Sequence, residues 1–115
     1  MKRALILAVA IAGLAVPATA HAFLEKASPA AGENLHAAPA KIALHFSETL
    51  EPAFSSVTVT NAAGTDMRAG PPSVSGGEMD QPLKPLAPGR YRVTWQAVSI
   101  DTHRTAGKYN FLVLP

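Results

Sequence analysis

The sequence predicts an all-β domain, a sandwich of antiparallel strands, on three observations. Nine of the ten prolines and seven of the eight glycines fall after residue 20, at intervals that leave almost no room for a helix of ten or more residues. Several short stretches alternate apolar and polar residues with a period of two, the pattern of a half-buried strand. Turn-forming clusters separate those stretches at the regular spacing a sandwich needs.

Taken in order, residues 1–20 read as an export signal. Met1-Lys2-Arg3 is a basic start, Ala4 to Val16 is an apolar run, and Ala18-Thr19-Ala20 is a small-x-small cleavage site. The run stops at Pro17, well short of the roughly twenty apolar residues that a spanning helix requires. Residues 21–115 form one domain, since about 95 residues do not accommodate two cores. Ile42, Leu44 and Phe46 share one face of a strand, with Ala43 and His45 on the other. Glu48 to Phe54 is cut by Pro52 and makes at most a single helical turn. Val57 and Val59 alternate with Thr58 and Thr60 in a second strand. Residues 61–80, rich in Ala, Gly, Pro and Ser, read as a long loop or a weak edge hairpin. Tyr91, Val93 and Trp95 alternate with Arg92, Thr94 and Gln96 in the clearest strand, and Tyr109, Phe111 and Val113 repeat the pattern near the C-terminus. These aromatics are core residues on their periodicity rather than an electron route or a stacking surface.

Charge and composition narrow the function. The chain has ten Lys and Arg against eight Asp and Glu, and removing Lys2 and Arg3 with the signal leaves the two signs equal. A formally neutral domain gives no electrostatic argument for nucleic acid or anionic lipid as its main partner. With no cysteine there are no disulfides, no thiolate nucleophile and no thiolate metal site.

The chemistry that remains lies at the two ends of the domain. Cleavage after Ala20 makes His21 the first residue, and its free amine and imidazole Nδ1 close a six-membered chelate ring on a metal. A second match, Ala20-His21-Ala22, places the cut after Ala22 and removes that histidine. Asp101 and His103, two apart on an extended strand, point to the same side and can converge on one ion.

The run from His21 to Pro29, Pro39-Ala40-Lys41-Ile42 leading into Leu44-His45-Phe46-Ser47-Glu48, and Tyr91-x-Val93-x-Trp95-x-x-x-Ser99-x-Asp101-x-His103-x-x-x-Gly107 together resemble the CopC family of periplasmic copper-binding proteins. The resemblance covers essentially the whole chain after residue 20. It implies an immunoglobulin-like, cupredoxin-like Greek-key β-sandwich that is periplasmic and holds one Cu(II) per chain. The ligands it implies are His21, through amine and imidazole, Asp101 and His103. Two imidazoles, an amine and a carboxylate make a tetragonal N,O set, which suits Cu(II), with Zn(II) the natural competitor. Glu48 and Ser99 are candidates for outer partners that orient the ligands. Some members carry a methionine-rich loop for Cu(I). Here the corresponding stretch, Thr60 to Pro72, offers only Met67, and Met79 is the other methionine within the domain, so a Cu(II)-only protein is expected. His36 and His45 have solvent-exposed explanations and stand outside the expected site.

The resemblance further implies a monomeric, non-catalytic copper carrier or buffer in copper resistance or homeostasis, whose partner is an inner-membrane copper transporter of the CopD type. Two other readings stand beside it. One is a copper monooxygenase built on an N-terminal histidine brace, against which stand the short chain and the carboxylate in a position oxygen chemistry needs open. The other is a metal-free structural sandwich module.

Overall fold

A computed structural model describes residues 22–115, so His21 and the segment read as an export signal lie outside the described residues. The strands are β1 (Leu24–Ser28), β2 (Asn34–Leu35), β3 (Lys41–Phe46), β4 (Ser56–Asn61), β5 (Ser73–Ser75), β6 (Glu78–Pro82), β7 (Gly89–Val98) and β8 (Arg104–Val113), with one 3₁₀ turn at Pro52–Phe54. They form two four-stranded sheets in the orders β1-β3-β6-β5 and β2-β8-β7-β4. Only β5–β6 and β7–β8 are hairpins within a sheet; every other connection carries the chain from one sheet to the other. The expected all-β sandwich is therefore the observed one, and the period-two pattern is its cause.

Ile42, Leu44 and Phe46 of β3 face inward against Val57 and Val59 of β4 and Tyr91, Val93 and Trp95 of β7, all of them buried. Phe46 meets Trp95 edge to face across the two sheets, with ring centroids 5.1 Å apart at 69°. Tyr91 stacks on Phe111 at 5.4 Å, and its hydroxyl donates to the carbonyl of Ala87 at 2.5 Å. Aromatic pairs of this kind add about 0.5–1.5 kcal/mol beyond the area they bury. Gly107 pairs with Trp95 across β7 and β8, and a Cβ there would sit 2.6 Å from the indole Cζ2. The glycine makes room for the one tryptophan.

The segment 61–80 is more ordered than its composition suggests. β6 is an inner strand between β3 and β5, with Met79 and Gln81 fully buried. The Gln81 amide donates to the carbonyls of Gly70 and Pro82 at 2.8 and 3.0 Å, which gives the buried polar side chain its place. A strand of sequence EMDQP with one apolar residue hides from periodicity. β2, paired in parallel with β8 over two residues, is likewise too short to leave a pattern.

Candidate metal centre

Asp101 and His103 lie in the five-residue connection between β7 and β8, not on an extended strand as their spacing suggested. They converge all the same, because the connection is a tight turn. The Thr102 amide donates to the Ser99 carbonyl at 2.8 Å, and the Ser99 amide donates to the His103 carbonyl at 2.9 Å. Thr102 itself has φ 74°, the left-handed region that only a turn of this kind imposes on a branched residue. His103 Nδ1 ends 3.4 Å from Asp101 Oδ1, with both side chains about half exposed and open to an arriving ion.

Ser99 holds this turn from below. It is buried, its hydroxyl donates to Asp101 Oδ1, and the same oxygen lies 3.3 Å from the His103 carbonyl. The hydroxyl, followed by His103, keeps the Asp101 carboxyl below the usual carboxylate range. An anionic oxygen and an imidazole are thus presented together before any metal arrives.

The start of the described chain is fastened beside them. Ala22 is fully buried, and its carbonyl accepts a hydrogen bond at 2.8 Å from Thr105, two residues after His103. Phe23 is tied to the end of β3, donating from its amide to Ser47 Oγ at 2.8 Å and accepting from the Ser47 amide at 2.9 Å. The N-terminal segment therefore bridges the two sheets at the end where the β7–β8 turn projects. The 47–51 connection closes the same end: Ile100 N donates to Thr49 O at 3.1 Å, Leu50 bridges Ser99, and Glu51 N donates to Val98 O at 2.7 Å. Glu48 sits exposed on that connection.

Among the described residues no group of three or more His, Asp or Glu is placed to hold a metal ion. Two donors, Asp101 and His103, converge; the expected third, His21, lies outside the described residues.

The CopC domain family model matches residues 24–114. The chain belongs to the CopC family. It is 42% identical over 105 residues to copper resistance protein C of Pseudomonas syringae pv. tomato, covering 84% of this chain and 82% of that one. Its fold is similar to the crystal structure of CopC from Methylosinus trichosporium OB3b, with TM-score 0.77 and 33% identity over 83% of this chain and 95% of that one. A third relative, copper transport protein CutJ of Bacillus subtilis, is 32% identical over 82% of this chain, but the match takes up only 18% of that longer protein.

Other parts of this CopC chain qualify the sequence reading. His45 is held rather than merely exposed: its Nδ1 contacts Glu78 and its Nε2 lies 3.4 Å from Glu25. The two carboxylates face opposite ring nitrogens, so they bracket the imidazole instead of converging with it on an ion. Met79 is sealed in the core and Met67 is partly buried against that core. Thr105 escaped the sequence reading. The only signal was its place two residues after His103, on the inward face of a strand that the period-two pattern revealed only from Tyr109 onward.

Proposed function

We propose that this CopC chain is a periplasmic carrier of a single Cu(II) ion, bound by the amine and imidazole of His21 together with Asp101 and His103. The observation that carries this reading is the Thr105 to Ala22 hydrogen bond, which fixes the residue following His21 two positions from His103. Copper is cargo here. The donors are two imidazoles, one amine and one carboxylate, a hard and borderline set that favours Cu(II). Residues 1–20 are the export signal and cleavage after Ala20 supplies the amine; residues 21–115 are the copper-binding domain.

Ser99 sets the Asp101 carboxylate, and Glu48, on the connection beside the N-terminal segment, orients the amine. The chain acts as a monomer and catalyses no reaction. The match to a small part of a long copper transport protein supports a membrane transporter of the CopD type as the partner that gives or takes the ion.

Titration of the processed protein with Cu(II) against a competing chelator tests this. His103→Ala should lower affinity by at least 100-fold with the fold intact. Unchanged affinity in that variant would remove the site from the Asp101–His103 turn.

A further inference from the structure

The balance of charge over the whole domain conceals a separation between its two sheets. β1, β3, β5 and β6 carry Glu25, Glu78 and Asp80 beside Lys26 and Lys41. β2, β4, β7 and β8 carry Arg90, Arg92, Arg104 and Lys108 and not one acid. Alternation along β7 and β8 turns all four cations outward, since Tyr91, Val93 and Trp95 fill the inner face. The register lays Arg92 beside Asn110 and Thr94 beside Lys108, with Arg104 opposite Val98. Arg90 and Val98 are eight residues apart, so the cations follow a stripe about 27 Å long at about 3.4 Å per residue.

The nearby acids offset this stripe only in part. Asp66, at the β4 edge, is held by three contacts from the Arg68 guanidinium, and Glu33, whose carboxylate accepts from the Ala30 amide, keeps its charge beside the Leu112 end of β8. Asp101 and Glu51 lie only at the Arg104 end. Midway along the opposite half, a shallow open depression of about 530 Å³ is lined by Arg90, Arg92, Thr60, Asn61 and Asn110. Two guanidinium forks with amide and hydroxyl donors around them match the oxygens of a phosphate diester.

We propose that the outer face of the β2-β8-β7-β4 sheet docks on a bilayer containing anionic phospholipid, with a lipid phosphate in the Arg90–Arg92 depression. A lipid surface fits better than an acidic protein because the face offers spread cations among Thr58, Thr60, Thr94 and Ala106 without a large apolar anchor, whereas protein interfaces concentrate their energy in such anchors. The large exposed apolar side chains among the described residues, Phe23, Phe54 and Ile100, belong instead to the end formed by the 47–54 connection and the β7–β8 turn. Docking by the sheet face leaves that end, with Asp101 and His103, at the rim of the contact and accessible from the bilayer plane. The inference stands on charge placement and is independent of the copper reading.

The test is co-sedimentation of the processed protein with vesicles of phosphatidylcholine alone and of phosphatidylcholine with about 30% phosphatidylglycerol. Each cation near an anionic surface contributes roughly fivefold in binding, so Arg92→Gln with Lys108→Gln should weaken binding by about 25-fold. The control Lys26→Gln with Lys41→Gln removes the same charge from the other sheet and should change binding less than threefold. Binding should also fall steeply between 20 and 150 mM salt as screening sets in. Circular dichroism confirms that both variants are folded. Equal losses in the two double variants would overturn the proposal by reducing it to net charge. Absence of binding to the anionic vesicles, including the case where poly-glutamate binds and vesicles do not, would overturn it too, the latter result giving the face to an acidic protein.

Discussion

Replacing Ser99 by alanine separates ligand positioning from folding. The hydroxyl is buried and contacts both Asp101 Oδ1 and, at 3.3 Å, the His103 carbonyl. The turn itself survives its loss, because the Ser99 amide to His103 carbonyl and Thr102 amide to Ser99 carbonyl bonds are backbone bonds. Stability should therefore fall by no more than about 1 kcal/mol, the net value of one hydrogen bond. Asp101 is half exposed, so water replaces the lost donor without fixing the carboxylate in place. Loss of an outer partner of a metal ligand typically lowers affinity 10- to 100-fold, and Ser99→Ala should fall in that range for Cu(II) at neutral pH. The sign of the pH effect follows from the hydroxyl being the chief cause of the lowered Asp101 pKa. Without it the carboxyl rises toward its ordinary value, so the acid limb of Cu(II) binding should move to higher pH in the variant. Chelator competition across pH 4–7, with urea unfolding in parallel, reads both quantities. Unchanged affinity with an unchanged acid limb would refute the reasoning, as would an affinity loss matched by global destabilisation.

Three further outcomes are expected. Gly107→Ala pushes a methyl to 2.6 Å from the Trp95 ring, which is packed against Phe46. It should cost about 1–3 kcal/mol as an overpacked core, with a shifted Trp95 emission; an unaltered urea midpoint would contradict the packing. Tyr109, whose hydroxyl donates to the Pro29 carbonyl at 2.8 Å, has its pKa pushed up to about 12 by burial and then by Glu33. The fold favours the neutral phenol, so this contribution to stability is complete below about pH 10 and is lost as pH rises through about 12. The absorbance titration of the wild type minus that of Tyr109→Phe should show that midpoint, and one near 10 would contradict it. His45→Ala, on the opposite sheet and bracketed by Glu25 and Glu78, should leave Cu(II) affinity within twofold in chelator competition.

What the sequence disclosed, and what it withheld, follows from where each signal resides. Period-two alternation made β3, β4 and β7 readable because one face of each meets the core and the other meets water. β6 was not readable: its buried positions hold Met79 and Gln81, and the glutamine Nε2 donates to carbonyls that only the folded chain brings near, while its buried Oε1 has no partner among the described residues. The pairing of Asp101 with His103 was foreseen, but from strand geometry, whereas a turn with Thr102 in the left-handed region produces it. Position along the chain carries no trace of that φ angle. Ser99 was legible through the family motif, and its burial beneath Asp101 gives the motif a physical reason. Thr105 was not legible, because its role depends on Ala22, 83 residues away. The neutral charge total hid the acid-free sheet for the same reason, since composition adds charges that the fold keeps apart.

The most direct test of the central claim is the Cu(II) EPR spectrum of the exported, naturally processed protein with one equivalent of copper, alongside a chain retaining residues 1–20. The account predicts one tetragonal signal with hyperfine structure from three nitrogens in the processed protein, and loss of that signal when the amine of His21 is blocked by the uncut segment. Identical spectra from the two forms, or heterogeneous weakly bound copper in the processed one, would contradict a site made from His21, Asp101 and His103.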